Sequence, residues 1–302
     1  MAVDLSLKID VIETPSRKEF LQQYHKPQRP VLIKGLVDQQ PAGKKWTMEW
    51  FKAYMGDEMI ELYDNKEERH KWSTTTVPDI KMKFGEYLDI INKDEPTDLR
   101  MFLANLYKIR PELRNDFACP SFYKNVLGRL GFMFLGGKDT EVRGHYDVDS
   151  SCVLLTQIFG TKKVVLFEQK YTPLLYKVPF NTHSFVNLET LDTDQFPGLK
   201  YVKGYEVILE PGDSVYMPAG YWHFITYLDG GMGVSHRMMG PRIKDWIKGA
   251  WFMGLTMPFD KMMNRFFQER WYEYKNALMH KRVNAAINRQ KANAGSLQPQ
   301  RA

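Results

Sequence analysis

Cysteine is scarce in this sequence: Cys119 and Cys152 are the only two among 302 residues, and neither belongs to a Cys-x-x-Cys pair. That excludes a disulfide-stapled scaffold and points to a reduced, cytoplasmic protein. Long apolar runs are missing as well. Stretches such as "AWFMGL" at 250–255 are far too short to span a bilayer, so no membrane contact is expected. The opening "MAVDLSLKID" has no basic segment followed by an apolar one, so no signal peptide is expected. There is no internal repeat, no RNP-type aromatic box, no zinc finger and no helix-turn-helix pattern.

Hydrophobic residues make up 43% and aromatics 14%, the composition of a folded chain with a sizeable core. The net charge of +6 is unevenly spread. From Gly240 onward 12 Lys/Arg face 4 Asp/Glu, whereas the remainder holds 30 against 32. A solvated face of C-terminal helices explains this surplus more simply than a nucleic-acid surface, which is not favoured.

The N-terminal third mixes helices with a few strands. "PSRKEFLQQYHK" reads as a helix entered through Pro15 and Ser16, and "RPVLIKGL" as a strand. "TMEWFKAYMG" is an amphipathic helix with Thr47 as N-cap and Gly56 near its end. "EMIELYD" and "LRMFLANLY" read as strands, and "KFGEYLDIINK" as a helix between them. From Gly131 short strands follow one another: "GFMFLGG", "SCVLLTQIFG", "KKVVLFE", "YEVILEPGDSVYMP", "HFITYLD" and "GMGVSHRMM". Gly, Gly-Lys and Pro-Gly-Asp turns punctuate several of them, as in an antiparallel barrel or jelly roll. After Gly240 helical spacing returns at Ile243, Trp246, Ile247, Trp251 and Phe252, and again over 259–290. The expected organisation is a domain over 1–240, a helical region over 241–290 and a disordered tail over 291–302.

Chemistry concentrates in "RGHYDVDSS", residues 143–151. On a regular strand His145 and Asp147 would leave the same face and could converge on one ion. Asp149 shares that parity and is an alternative acid. His223 lies 78 residues downstream, where a strand starts after the turn and stop of "EPGDSVYMPAGYW". Two His and one carboxylate on one side of an ion form the facial triad of non-haem Fe(II) oxygenases. A closed zinc site would need a fourth ligand, usually sulfur, and none is offered nearby. A buried, hydrogen-bonded core histidine is the competing reading of His223. In "QIFGTKKVVLF", Lys162 and Lys163 head an apolar strand directly after a turn. One of them should point inward, and an inward ammonium requires an anionic partner.

Taken together, "GHYD", "QIFGTKKVVLF" and "GYEVILEPGDSVYMPAGYWHFI" resemble the JmjC or cupin-like family of Fe(II)- and 2-oxoglutarate-dependent oxygenases. The likeness is strongest to the branch of the asparaginyl hydroxylase that regulates hypoxia-inducible factor. It covers the chain from "RPVLIKGL" to about Met239. It implies a mainly β fold: a double-stranded β-helix (jelly-roll, cupin-like) core with N-terminal helices and a C-terminal helical extension. It further implies that His145, Asp147 and His223 hold Fe(II), that Lys162 binds the far carboxylate of 2-oxoglutarate, and that dioxygen is consumed. The implied reaction is C–H hydroxylation with succinate and carbon dioxide as co-products.

Three positions depart from that hydroxylase. Val142 and Phe102 stand where it has a Thr and a Tyr that help bind 2-oxoglutarate, and Arg237 stands where it has an Asn. An inward Arg237 could compensate at the co-substrate site by pairing with a carboxylate; an ion pair on an edge strand is the other reading. Tyr146, Tyr221 and Trp222 flank the site by sequence and are candidates for substrate contact, though aromatic core packing is the commoner role. The substrate is expected to be a protein, peptide or small molecule. A metal-binding cupin without redox chemistry, binding a small ligand or sugar, is the rival hypothesis. Met262, Met263, Phe266, Phe267 and Trp271 exceed what one peripheral helix needs, so a homodimer through the C-terminal helices is expected.

Overall fold

Ser16 shows how closely the local sequence sets the first helix. Its hydroxyl accepts from the Glu19 backbone N–H while the Glu19 carboxylate accepts from the Ser16 N–H, a reciprocal capping box. The computed structural model describes residues 3–64, 78–93, 95–125, 127, 130–190 and 194–296. Two short strands, β1 (Asp4–Leu7) and β2 (Asp10–Ile12), precede this helix, α1 (Arg17–Phe20). A π-helical turn, Leu21–His25, prolongs it and leads to β3 (Val31–Ile33). The helix α2 (Met48–Met55) starts at Thr47, whose hydroxyl accepts from the Trp50 N–H, and stops at Gly56. Next come β4 (Met59–Asp64), β5 (Ile80–Lys83), α3 (Phe84–Ile91) and β6 (Leu99–Asn105).

The β-rich half contains β7 (Gly131–Gly136), β8 (Glu141–His145), β9 (Cys152–Phe159), β10 (Lys162–Phe167), β11 (Lys203–Leu209), β12 (Ser214–Met217), β13 (Trp222–Tyr227) and β14 (Gly231–Met238). They form two facing sheets. The smaller runs β1-β11-β10-β13-β8, and the larger runs β2-β3-β12-β9-β14-β7-β6-β4-β5. From β7 onward the chain crosses between the sheets at every step except β10 to β11, which pair as neighbours in the smaller sheet. All pairs among these eight strands are antiparallel, the arrangement of a double-stranded β-helix. The expected fold class is therefore observed. The single stretch "YEVILEPGDSVYMP" is two strands on opposite sheets, split by the Pro-Gly-Asp turn.

Three layers of core hold this frame. Val153, Leu155, Val164, Leu166, Val207 and Val215 pack between the sheets. The N-terminal helices cover the outside of the larger sheet, with Phe51, Tyr87 and Leu88 against Met101, Leu135 and Val234. The C-terminal helices are α4 (Ile243–Trp251) and α5 (Met257–Ser296). Met279, Val283 and Ile287 of α5 cover Phe167, Trp222 and Phe224 on the outside of the smaller sheet.

α5 bends at Gln268, where φ is 36°. The bend folds it back on itself, so that Asp260 accepts from Trp271 Nε1 at 2.7 Å and from Lys275 Nζ at 3.0 Å. Trp271 is thereby buried within its own chain, against Phe180 and Phe259. This removes it from the apolar surface expected of it; Met262, Phe266 and Phe267 remain exposed. Of the expected tail, Lys291–Ser296 continue α5, and residues 297–302 lie outside the described residues.

Candidate metal centre and co-substrate pocket

β8 and β13 are hydrogen-bonded neighbours in the smaller sheet, and their register sets His145 opposite His223. Each imidazole is fixed through its Nδ1. That of His145 donates to the Arg143 carbonyl at 2.8 Å, and that of His223 to the Tyr221 carbonyl at 3.3 Å. A carbonyl can only accept, so both rings carry their proton on Nδ1 and present a bare Nε2. Those two Nε2 atoms lie 3.2 Å apart. Burial, with His223 close by, pushes His145 down to about 3, and burial likewise lowers His223. Both rings are therefore neutral near pH 7 and direct lone pairs at one point.

Asp147 completes the group: one donor atom from each of His145, Asp147 and His223 falls within 4.8 Å of the others. It does so by a different route from strand alternation. β8 ends at His145, and Asp147 sits in the turn that follows, just outside the sheet. That turn also settles the choice of acid, because Asp149 is occupied by Ser151, accepting from its N–H at 3.0 Å and its hydroxyl at 2.9 Å.

Arg237 points inward from β14 and donates to Asp147 Oδ2 at 2.7 Å, with Ser151 Oγ 3.3 Å from the same Nη1. The arginine is only 9% exposed, which rules out the surface edge-strand reading. Burial alone would raise the Asp147 carboxyl. The Arg237 guanidinium and the two imidazoles outweigh it and hold the group at about 2.

The donor set fits a divalent ion. A metal about 2.0–2.1 Å from each imidazole nitrogen places two ligands at right angles about 3 Å apart, close to the separation found. Without a cation between them, two facing lone pairs at that distance repel. Two histidines and one carboxylate leave a free side, the pattern suited to non-haem Fe(II).

Deeper in the barrel, Lys162 is 1% exposed, while Lys163 turns outward to Glu189 at 2.6 Å. The inward lysine is therefore Lys162. Its ammonium lies 4.2 Å from the centroid of the Tyr227 ring, and burial pushes it down to about 7. Two of the aromatic neighbours of the site, Trp222 and Tyr146, pack outside the smaller sheet. Trp222 alternates with His223 along β13 and is enclosed by the core outside the smaller sheet, its indole N–H on Thr172 Oγ1 at 3.0 Å. Tyr146 packs edge-on against Trp222, and Tyr221 belongs to the core between the sheets.

Two neighbours of the site carried no sequence signal. His183, from the long connection between β10 and β11, stacks on His145 with ring centroids 5.1 Å apart. Arg100, on β6, is directed inward beside Phe102, its guanidinium 4.8 Å from that ring. Both are brought in by pairing between segments far apart in sequence, which no local spacing encodes.

Two facing sheets with a His-Asp-His cluster at one end define a metal-binding cupin barrel. Comparison with known proteins agrees: the cupin-like domain family matches residues 16–284, and the chain belongs to that family. It is 29% identical over 238 residues to JmjC domain-containing protein D of Dictyostelium discoideum, covering 71% of this chain and 52% of that protein. It is 26% identical over 246 residues to lysine-specific demethylase 8 of Xenopus tropicalis, covering 77% and 53%. It is 24% identical over 246 residues to human tRNA wybutosine-synthesizing protein 5, covering 76% and 77%. The chain thus spans about half the length of the first two relatives. These relatives belong to differently named branches and do not single out the asparaginyl-hydroxylase one.

Proposed function

We propose that the protein is an Fe(II)- and 2-oxoglutarate-dependent dioxygenase that hydroxylates a C–H bond, with a protein side chain as its substrate. The observation that carries this is the His145–Asp147–His223 cluster, with both Nε2 atoms bare and 3.2 Å apart. Bound Fe(II) and 2-oxoglutarate would supply the oxidation, one atom of dioxygen entering the product and the other succinate, with carbon dioxide released.

The chain's own residues bind and orient. His145 and His223, locked at Nδ1, hold the ion without needing to lose a proton. Arg237 keeps Asp147 ionised and fixes one of its oxygens, so the carboxylate meets the ion in one orientation. Lys162 offers a buried cation to the far carboxylate of the co-substrate. Val153, Leu155, Val164 and Leu166 fill the barrel around it and exclude water.

The protein-side-chain reading rests on the motif block shared with the asparaginyl-hydroxylase branch, and a relative named as a lysine demethylase supports it. Both cysteines are free, which supports a reducing, cytoplasmic setting. Among the described residues no helix is long and apolar enough to cross a membrane. A second copy of the chain is the partner we propose for the exposed apolar residues of the C-terminal helices, Ile243, Ile247 and Trp251 of α4 and Phe266 of α5, each at least 63% exposed. Phe266→Glu should convert a dimer to a monomer in sedimentation, and a wild-type monomer would refute that pairing.

Incubating the protein with a cell lysate, Fe(II) and 2-oxoglutarate tests the reaction. Protein fragments should gain about 16 Da with the wild type and not with His145→Ala. The same gain confined to RNA or to a metabolite would overturn the protein substrate. A metal-loaded protein with no succinate formation would show a non-redox cupin binder instead.

A further inference from the structure

Several buried polar atoms that lack hydrogen-bond partners gather at the inner end of the barrel. They are Arg100 Nε, Gln157 Oε1 and Ser235 Oγ. Lys162, almost fully enclosed, adds an ammonium that lies over the Tyr227 ring rather than beside an anion. Buried polar groups and charges left without partners are costly; Arg100 Nε, the Ser235 hydroxyl and the Lys162 ammonium are donors that an anion would satisfy.

The strand registers place these groups together. Arg100 pairs with Gly136 across β6 and β7, so the two residues share a face of the larger sheet. A Cβ built at Gly136 would lie 3.0 Å from the Tyr227 ring, so that ring reaches across from the smaller sheet and lies on Gly136, beside Arg100. Tyr227 is paired with Lys162 across β13 and β10. One aromatic ring therefore has Lys162 over it and Arg100 alongside. A Cβ built at Gly233 would lie 2.9 Å from Lys162 Nζ and 3.2 Å from Gln157 Oε1, so the missing side chain leaves space between sheet and ammonium. Among the described residues no carboxylate pairs with Arg100.

We propose that Arg100 is a second cation for the far carboxylate of the co-substrate, so that a diacid is gripped between Lys162 on β10 and Arg100 on β6. This rests on the 2-oxoglutarate reading above and adds to it a residue that selects for the diacid. A planar guanidinium can donate two parallel hydrogen bonds to one carboxylate and an ammonium cannot, so the pair fixes the orientation of the co-substrate as well as its charge. Gly233 leaves space beside the Lys162 ammonium, and Gly136 lets the Tyr227 ring lie against the larger sheet.

Calorimetric binding to the Mn(II)-loaded protein, without turnover, tests this. The probes are 2-oxoglutarate and 2-oxopentanoate, a 2-oxo acid of the same length that lacks the far carboxylate. Arg100→Met should weaken 2-oxoglutarate by about 30-fold or more. It should leave 2-oxopentanoate within about twofold of the wild type. Arg100→Lys should restore part of the difference, and Mn(II) affinity reports whether each variant is folded at the triad. Wild-type affinity for 2-oxoglutarate in a folded Arg100→Met overturns the proposal, as does an equal loss of both ligands or a folded Arg100→Lys with no recovery. Failure of the wild type itself to bind 2-oxoglutarate would refute the underlying reading instead, so the two failures are distinct.

Discussion

His145 and His223 face one another across β8 and β13 with bare Nε2 atoms 3.2 Å apart, each ring pinned at Nδ1 by a backbone carbonyl. A pair of lone pairs so placed is stabilised by a cation and by little else. Mn(II) should therefore raise the melting temperature of the wild type, by an amount corresponding to about 2.7 kcal/mol at a hundredfold excess over Kd. His145→Ala and His223→Ala should each abolish the increase. Equal stabilisation of wild type and variants, followed by calorimetry, would mean that the ion binds elsewhere.

Arg237 acts on the ion only through Asp147, to which it donates at 2.7 Å. Arg237→Met should leave the carboxylate buried, free to rotate and easier to protonate, because burial then loses its largest opposing influence. Metal affinity should fall about 10–100-fold, with a steeper loss at acid pH than in the wild type. An anaerobic Fe(II) titration at pH 5.5 and 7.5 reads both effects.

Lys162 gives the pocket a pH dependence of definite sign. Its folded pKa of about 7 lies below the ordinary lysine value, so in the ligand-free protein the amine is largely neutral at pH 8. An anionic carboxylate restores the charge, so binding of 2-oxoglutarate should take up close to one proton at pH 8 and far less at pH 6. Affinity should accordingly fall as pH rises above about 7. The same shift makes the ligand-free fold gain stability between pH 7 and the ordinary lysine range, because there the unfolded chain binds the extra proton. Calorimetry in buffers of different ionisation enthalpy measures the uptake, and Lys162→Met should remove it.

Gly144, on the strand that carries His145, has no room for a side chain. A Cβ there would lie 2.0 Å from the Phe224 ring, on the strand that carries His223. Gly144→Ala should cost about 1–3 kcal/mol, lowering the melting temperature by several degrees. It should also weaken metal binding by shifting one strand against the other. Gly254→Ala, with nothing within 4 Å of the added carbon, is the control and should change neither.

How much of this was legible in the sequence follows from the range of each interaction. Caps are local, and Ser16, Thr47 and Gly56 stand where their residue types imply. The order His145, Lys162, His223 within short punctuated strands was enough to indicate a barrel with an ion at one end. The geometry at Asp147 was not legible, because the strand stops at His145 and the turn, not the pleat, aims the carboxylate. Arg100 and His183 reach the site through cross-strand pairing and a long connection, and neither distance is written in local spacing. Trp271 looked like surface because a periodic pattern cannot reveal the reversal at Gln268 that buries it on Asp260.

The most direct test couples two quantities in one reaction, the dioxygen consumed and the succinate formed, with and without Fe(II). The wild type should convert 2-oxoglutarate to succinate with matching oxygen uptake only when Fe(II) is present, and Asp147→Asn should do neither. Tight Fe(II) binding at His145, Asp147 and His223 with no succinate and no oxygen uptake would contradict the oxygenase account.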